Sequence, residues 1–441
     1  MSNFNNRYFQ LPNAMRNYIT IISFATTLFA ISCGTETESP SDYIAFTGAT
    51  IIDGSGGNPI IDGVLLTSNG RIVAVGSRQQ IELPENTEVR EVSGKTIIPG
   101  LINTHGHVGD VKGIHGGHYS KSNIADNLRI YARYGITTVV SLGGDRREAV
   151  PLRWISDTAD TQRARLYIAG EVVNGDTRNQ AVAVVDSNHR MGVDFMKIRV
   201  DDNLGSNRKM PDSVYKAVIN RSHELGYQVA VHLYYLEDAK KLLEAGGDLI
   251  AHSVRDRLVD ETFIEMMQKR NTCYCPTLTR EVSTYVYEDT AAFFNDPFFT
   301  REYDWQTVVP LLDPQWQRDV RESRGAQTYK LQLPVAMANL KMLSDSGIPI
   351  LMGTDSGMPT RFMGYFEHME MEMMAQSGLR PMDILLSATQ HPVTCMELKG
   401  IGLLKKGNWA DFVILDRNPL EDIRNTRSIR EVWIGGKPVQ L

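Results

Sequence analysis

A chain of 441 residues with 42% apolar and 22% charged side chains has an ordinary globular composition, and the length for one large domain plus a smaller one. Its formal net charge of −6 argues against nucleic acid as a partner, which would need a basic surface. No short internal repeat and no long low-complexity tract stands out.

The first residues differ from the rest. Arg7 and Arg16 precede an apolar run, 18–31, that ends in Ala30-Ile31-Ser32-Cys33. A charged region, an apolar stretch and small residues before a cut form the pattern of a secretory signal. The run is too short and too rich in Thr and Ser for a comfortable membrane span. With cysteine at the junction, residues 1–32 resemble a lipoprotein-type signal peptide, although Ala30 stands where Leu is usual. Residues 33–42 then form a polar tether. The expectation is an exported protein of the cell envelope, periplasmic or an outer-membrane lipoprotein, meeting the membrane only through an N-terminal lipid anchor.

Residues 43–97 carry strand-like runs separated by Asp-Gly, Asn-Gly and Ser-Gly turns, with no helix-length period. From His105 onward the pattern changes. Helix-like segments at 124–134, 213–225, 237–245, 260–269 and 334–346 alternate with apolar runs at 136–142, 165–171, 195–200, 228–233, 248–252, 272–277 and 350–353. Such alternation predicts parallel strands with crossover helices. About eight strands suit an α/β fold of the (β/α)8 TIM-barrel type over residues 98–399. An aromatic and acidic stretch, 279–332, interrupts it as a helical insertion, either a lid over the mouth or a peripheral packing or dimer element. Residues 400–441 return to strands and turns, so both termini are expected to build one small β-sandwich domain, 43–97 with 400–441. Homo-oligomerisation is left open.

Cys33, Cys273, Cys275 and Cys395 are the four cysteines. Cys273 and Cys275 stand two apart on a predicted strand, on one face but poorly spaced for a bridge. Buried thiols are expected there.

In a barrel of parallel strands the chemistry lies where the strands end. His105 and His107 close the first apolar run, and residues i and i+2 of a strand share a face, so the two imidazoles project together. Lys197, His232, His252 and Asp355 close four later runs. These are metal-capable or metal-adjacent side chains, each at its own strand end.

The same residues carry a resemblance. PGLINTHGH (99–107), Gly135-Ile136-Thr137-Thr138-Val139, Lys197, His232, His252, Gly353-Thr354-Asp355, Gly407-Asn408-Trp409-Ala410-Asp411 and Ile434-Gly435-Gly436-Lys437 are similar to the motifs of the amidohydrolase superfamily, in its imidazolonepropionase-like branch with prolidase-type dipeptidases. The resemblance implies that His105, His107 and Asp355 hold one metal and that His232 and His252 hold a second. It implies an N6-carboxylated Lys197 bridging two divalent ions, with zinc expected. A metal-bridged hydroxide would then attack a carbonyl and cleave an amide-type C–N bond of a small-molecule substrate, a dipeptide or N-acyl amino acid. Asp355 would carry the proton to the leaving nitrogen, and Tyr234 would hydrogen-bond the carbonyl oxygen.

Substrate contacts are read more weakly from His115 and His118 in the loop after the first strand, and from Arg199 and Arg255, which suit a carboxylate. Two departures weaken transfer of dipeptide specificity. Ser253-Val254-Arg255-Asp256 follows His252 where the family often has Gly, and Val140-Ser141 stands where Arg-Asp is common. The competing readings are a mononuclear cyclic-amide hydrolase or deaminase, and a non-catalytic surface-anchored binding protein.

Overall fold

Period-two burial organises the terminal strands of the computed structural model, which describes residues 42–159 and 162–441. The expected signal peptide, and the tether up to Ser41, lie outside the described residues. β1 (Tyr43–Ile51), β2 (Ile60–Ser68), β3 (Arg71–Ser77), β4 (Glu88–Glu91) and β5 (Thr96–Pro99) come first. Phe46, Leu65 and Ile72 pack in one apolar cluster, while Ala45, Val64 and Leu66 pack in another, as alternation across a pleated strand requires.

The central strands are shorter. β6 (Leu101–Gly106), β7 (Ile136–Ser141) and β8 (Arg165–Ile168) form one parallel sheet, and β9 (Met196–Arg199), β10 (Val229–His232), β11 (Leu249–Ala251) and β12 (Cys273–Cys275) form a second. Nearly every residue in them is buried, the mark of parallel strands covered by helices. Helices Lys121–Arg133, Arg178–Met191, Asp212–Glu224, Leu236–Ala245 and Glu261–Arg270 lie between the strands in sequence.

The expected last strand, 350–353, is not a ladder. Its backbone spreads its hydrogen bonds over several neighbours: Leu351 N to Tyr274 O, Met352 N to Ser387 O, and Thr354 N to His105 O. Single parallel bridges, Tyr274 with Ile350, Gly106 with Ser356 and Val173 with Ile198, touch the sheet edges. The ladders therefore make two open sheets rather than one closed ring.

β13 (Phe412–Leu415), β14 (Ile429–Ile434) and β15 (Lys437–Pro438) join the first five strands in one eight-stranded sheet, ordered β15-β14-β13-β5-β1-β2-β3 with β4 on β1. Phe46 meets Phe412 and Trp433 edge-on, each at 4.9 Å between centroids, so the two termini share one core. Asp411, in the GNWAD motif, receives both arms of Arg165 from β8 (2.5 and 2.9 Å) and the Gly435 amide (2.7 Å), and is buried.

The insertion is helical, as expected. Helix Arg324–Asp345 starts ten residues before the predicted Pro334 and keeps that proline inside it. Phe293, Phe294, Phe299 and Tyr303 are buried against Phe362, Tyr365 and Phe366, so this part of the insertion is a packing element. Among the described residues no helix is long and apolar enough to cross a membrane.

The cysteine expectation is corrected. Cys273 is disulfide-bonded to Cys395, 122 residues later, at a Cα–Cα distance of 6.2 Å. Cys395 ends the short helix Gln390–Cys395, and only the fold brings it to β12. Cys275 stays a free buried thiol, pushed up to about 12 by burial. Closing so long a loop constrains the unfolded chain. Cys395→Ser should lower unfolding free energy by about 2–5 kcal/mol. Denaturant melts check this: reductant should shift the wild type toward the variant and leave the variant unmoved.

Candidate metal centre

His105 is buried at the penultimate position of β6, and His107 lies just beyond the strand's end at Gly106. The turn that carries Asp355 comes up against both. Gly353 permits that approach, since a Cβ there would stand 2.8 Å from His105 Cβ. Gly357, at φ +83°, passes so close to the His107 carbonyl that no side chain fits. Asp355 Oδ1 lies 2.7 Å from His107 Nε2 and 3.6 Å from His105 Nε2. Among the described residues these three form the one group of His, Cys, Asp and Glu whose ligand atoms all fall within 4.8 Å of one another.

Lys197, His232 and His252 adjoin that group. Lys197 Nζ is 3.3 Å from His105 Nε2. The His252 ring lies 4.5 Å from His105 and 4.2 Å from His232, centroid to centroid. All six residues singled out from the sequence are thus brought into one cluster, although His232 and His252 complete no second tight ligand group.

Hydrogen bonds to one nitrogen of a ring decide which nitrogen is left for a ligand. His107 Nδ1 donates to Gly143 O (2.9 Å), which leaves the Nε2 lone pair facing the Asp355 carboxylate. A cation shared by these two acceptors relieves their opposition. His252 Nδ1 is held by Thr277 Oγ1 (2.8 Å), leaving Nε2. His232 Nε2 is held by Asp201 Oδ2 (3.0 Å), leaving Nδ1. His105 Nδ1 is buried with no hydrogen-bond partner among the described residues.

Electrostatics agree with that disposition. Burial, then the nearby Lys197 charge, holds His105 well below the usual imidazole range. Burial brings His232 down to about 3, and burial with the neighbouring imidazoles depresses His252. Neutral imidazoles are the form that ligates. Burial alone would push the Asp355 carboxyl up, but the Arg361 guanidinium and the two histidines outweigh it and hold the group well below the carboxylate range. Burial also brings the Lys197 ammonium down to about 8. Neutral nitrogen donors beside an ionised carboxylate fit a borderline divalent cation such as zinc.

Backbone strain is present at the cluster. His252 (φ +104°), Thr277 (+50°) and Asp355 (+58°) are non-glycine residues on the positive side of φ, a cost of about 1–3 kcal/mol each that persists where surrounding structure demands the geometry.

The weaker sequence candidates scatter. His115 and His118 are exposed on a loop. Arg199 is partly exposed, 3.5 Å from Asp201, on a cleft of about 350 Å³ lined also by Asn174, Asn207, Arg208 and Met210. A larger cavity of about 500 Å³, beside Arg71, Tyr167 and Trp409, holds none of the candidate residues. Arg255 is fully buried, its Nε 3.2 Å from Glu281 and its guanidinium 4.6 Å over the Tyr234 ring. β10 stops at His232, so no strand continues to Tyr234. The Tyr234 hydroxyl donates to Gln332 of the insertion, and burial pushes it up to about 12.

Four functional neighbours were not read from the sequence. Asp201 shares the i, i+2, i+4 alternation of Lys197 and Arg199, a usable signal. Arg361 pairs with Asp355 from the following loop. Glu367 and Glu370 are fully buried on helix Tyr365–Gln376. Two acids three apart inside YFEHMEMEMM give no local sign of burial, since acids on a helix normally face water.

The profile of the amidohydrolase family matches residues 96–439. The chain belongs to the amidohydrolase family. An uncharacterized protein of Mycobacterium tuberculosis is 31% identical over 195 residues, 42% of this chain, and the chain spans about half (51%) of that protein's length. A 5-methylthioadenosine/S-adenosylhomocysteine deaminase of Bacillus cereus is 23% identical, covering 89% of this chain and 93% of the relative. The structure of a Xaa-Pro dipeptidase with methionine bound in its active site superposes with a TM-score of 0.70 at 19% identity, covering 90% of this chain and 100% of that one. This last likeness is one of fold. Membership of this family weighs against the reading as a non-catalytic binding protein.

Two outcomes follow from this geometry. Asp201→Asn should weaken binding of a divalent ion about 10-fold or more, because a neutral amide holds and polarises the His232 ring less well than a carboxylate; a zinc titration against a chromophoric chelator reads this. Burial pushes Glu370 up to about 7 from an ordinary 4.5. The native state then holds the proton more tightly, so this contribution is complete below pH 4.5 and is lost as pH rises through 7. Urea melts of Glu370→Gln across that window should be lower but flatter than those of the wild type.

Proposed function

We propose that the protein is a metal-dependent hydrolase of amide-type C–N bonds, with a dipeptide or N-acyl amino acid as substrate. The convergence of His105, His107, Lys197, His232, His252 and Asp355 in one buried cluster carries this reading. In it, His105, His107 and Asp355 would hold one divalent ion, His232 Nδ1 and His252 Nε2 would serve a second, and N6-carboxylated Lys197 would supply a further anionic ligand, with zinc favoured by the donor set. Ions bound there polarise a carbonyl oxygen and make a water more acidic.

The remaining chemistry belongs to the chain. Desolvated Lys197 has a neutral amine accessible near its pKa of about 8. Carbon dioxide adds to that amine, forming an N–C bond and releasing one proton. The Asp355 carboxylate, ionised and 2.7 Å from His107, takes the proton from the attacking water and returns it to the leaving nitrogen. Tyr234, kept a phenol at physiological pH, donates to the carbonyl oxygen once Gln332 releases it. Arg199 faces the cleft beside Asp201, which we read as the approach for substrate.

The same reading extends to the scaffold. The three single bridges support closure of the two parallel sheets and segment 350–356 into a (β/α)8 barrel spanning 98–399, with 43–97 and 400–441 as its β-domain. The Cys273–Cys395 disulfide supports export to the cell envelope, since such bonds persist in oxidising compartments.

A one-metal reading, a deaminase or cyclic-amide hydrolase, is favoured by the single tight His105–His107–Asp355 group and by the Bacillus relative. Metal analysis discriminates: two ions per chain are expected, one supports the alternative. Turnover of a dipeptide and N-acyl amino acid panel tests the substrate class, and Asp355→Asn should lose about 10²–10⁴-fold in kcat. Metal-loaded enzyme that ignores the panel but opens a lactone or cyclic amide overturns the proposed substrate.

A further inference from the structure

The wall above Asp355 is built from arginines that none of the sequence motifs contains. Arg361 places Nη1 on Asp355 Oδ2 and donates Nε to Ser283 Oγ at 3.0 Å. Arg280, on helix Leu278–Tyr285 of the insertion, donates Nη1 to Glu281 Oε2 at 3.0 Å and lies 4.4 Å over the Tyr329 ring. Its Nε is buried with no hydrogen-bond partner among the described residues. Arg255 approaches the same Glu281 with its Nε (3.2 Å) and donates Nη1 to Ser253 O (2.5 Å), while its Nη2 is buried without a hydrogen-bond partner. One carboxylate thus serves two guanidiniums.

The charge count is unequal. Arg255, Arg280 and Arg361 stand against Glu281 and Asp355, and Arg280 and Arg361 lie close enough to repel each other. Once Asp355 is committed to a divalent ion, its charge is no longer available to Arg361, and the surplus grows. An unpaired charge in a buried setting is strongly unfavourable, and a planar guanidinium fork is matched by a carboxylate.

We propose that Arg361 and Arg280 form the subsite for the substrate's free carboxylate. This rests on the amide-hydrolase reading above and assigns the residues that hold the charged end of the molecule. Arg361 exchanges Asp355 for the substrate carboxylate when the centre is loaded. Arg280 meets the same group with its unpartnered edge. Arg255, held by Glu281 and the Ser253 carbonyl, supports Arg280 from behind and does not itself reach substrate.

The test is calorimetric and needs no turnover. Zinc-loaded protein is titrated with L-proline, L-methionine and L-leucine and with their carboxamides. Wild type should bind the acids about 10- to 100-fold more tightly than the amides, the range for a hydrogen bond to a charged group. In Arg361→Gln and Arg280→Gln the preference should fall to about threefold or less, and Arg361→Lys should restore part of it. Melting temperature and zinc content identify variants that merely misfold, and the wild-type preference is measured regardless. Equal binding of acid and amide, no binding by either series, or an unchanged preference in both Gln variants overturns the subsite. The amide-hydrolase reading fails by a different result, the absence of turnover across the panel.

Discussion

One buried carboxylate joins the two segments on which the centre depends. Glu367 Oε1 accepts from Asn103 Nδ2 (2.6 Å), Thr354 Oγ1 (2.7 Å) and Ser356 Oγ (2.5 Å). Asn103 in turn accepts the His105 amide (2.9 Å), and Thr354 and Ser356 flank Asp355. The distance between the histidine pair and the aspartate is therefore set by an acid 264 residues from Asn103 in sequence. One turn along the same helix, Glu370 accepts the Leu278 and Thr279 amides, each at 2.7 Å, immediately after the Thr277 that holds His252. Removing either acid would strand buried donors, at about 1–3 kcal/mol for each group.

This arrangement explains how strained backbone survives at His252, Thr277 and Asp355. Each is over-determined by partners outside its own strand: His252 by Thr277, Thr277 by its place before the Glu370-capped amides, and Asp355 by the Glu367 clamp on both sides. The histidines follow the same logic at the level of protons. Gly143 and Asp201 can only accept, so the His107 and His232 tautomers are chosen before any ligand arrives, and Thr277 fixes the orientation of the His252 ring. Preorganisation of this kind depends on groups well outside the ligand set.

The part of the site that was legible in the sequence is the part that obeys local rules. His105, Lys197, His232, His252 and Asp355 each close an apolar run, and a strand end is visible from its own residues. Crossover helices were legible for the same reason, although helix Arg178–Met191, with only three residues buried, presents too weak an apolar stripe to mark it. The illegible part is tertiary. Period rules send Glu367 and Glu370 to solvent, because a polar residue in an amphipathic pattern is normally exposed. Arg255, at a strand end, looked open to substrate, whereas the insertion brings Glu281 onto it. The Cys273–Cys395 bond spans a separation that no spacing rule addresses.

That division bears on where specificity lies. The strands and their end residues assemble the His105–His107–Asp355 group and its neighbours. Tyr234, Arg255, Arg280 and Tyr329 meet only because helices Leu278–Tyr285 and Arg324–Asp345 of the insertion pack on one another, and Gln332 from the second of these takes the Tyr234 hydroxyl. The insertion thus does two things with separate residues. Its aromatic half is buried against Phe362 and Tyr365, which makes it a fixed wall rather than a freely moving flap. Its charged half sets one guanidinium, Arg280, and one carboxylate, Glu281, in the interior beside Arg255, Arg361 and Asp355, and the surplus arises only where these meet. A fixed wall can hold a buried surplus of charge where a mobile one would let in water to screen it. The aromatic packing of the insertion and the buried charges beside it are therefore linked, since the first keeps water from the second.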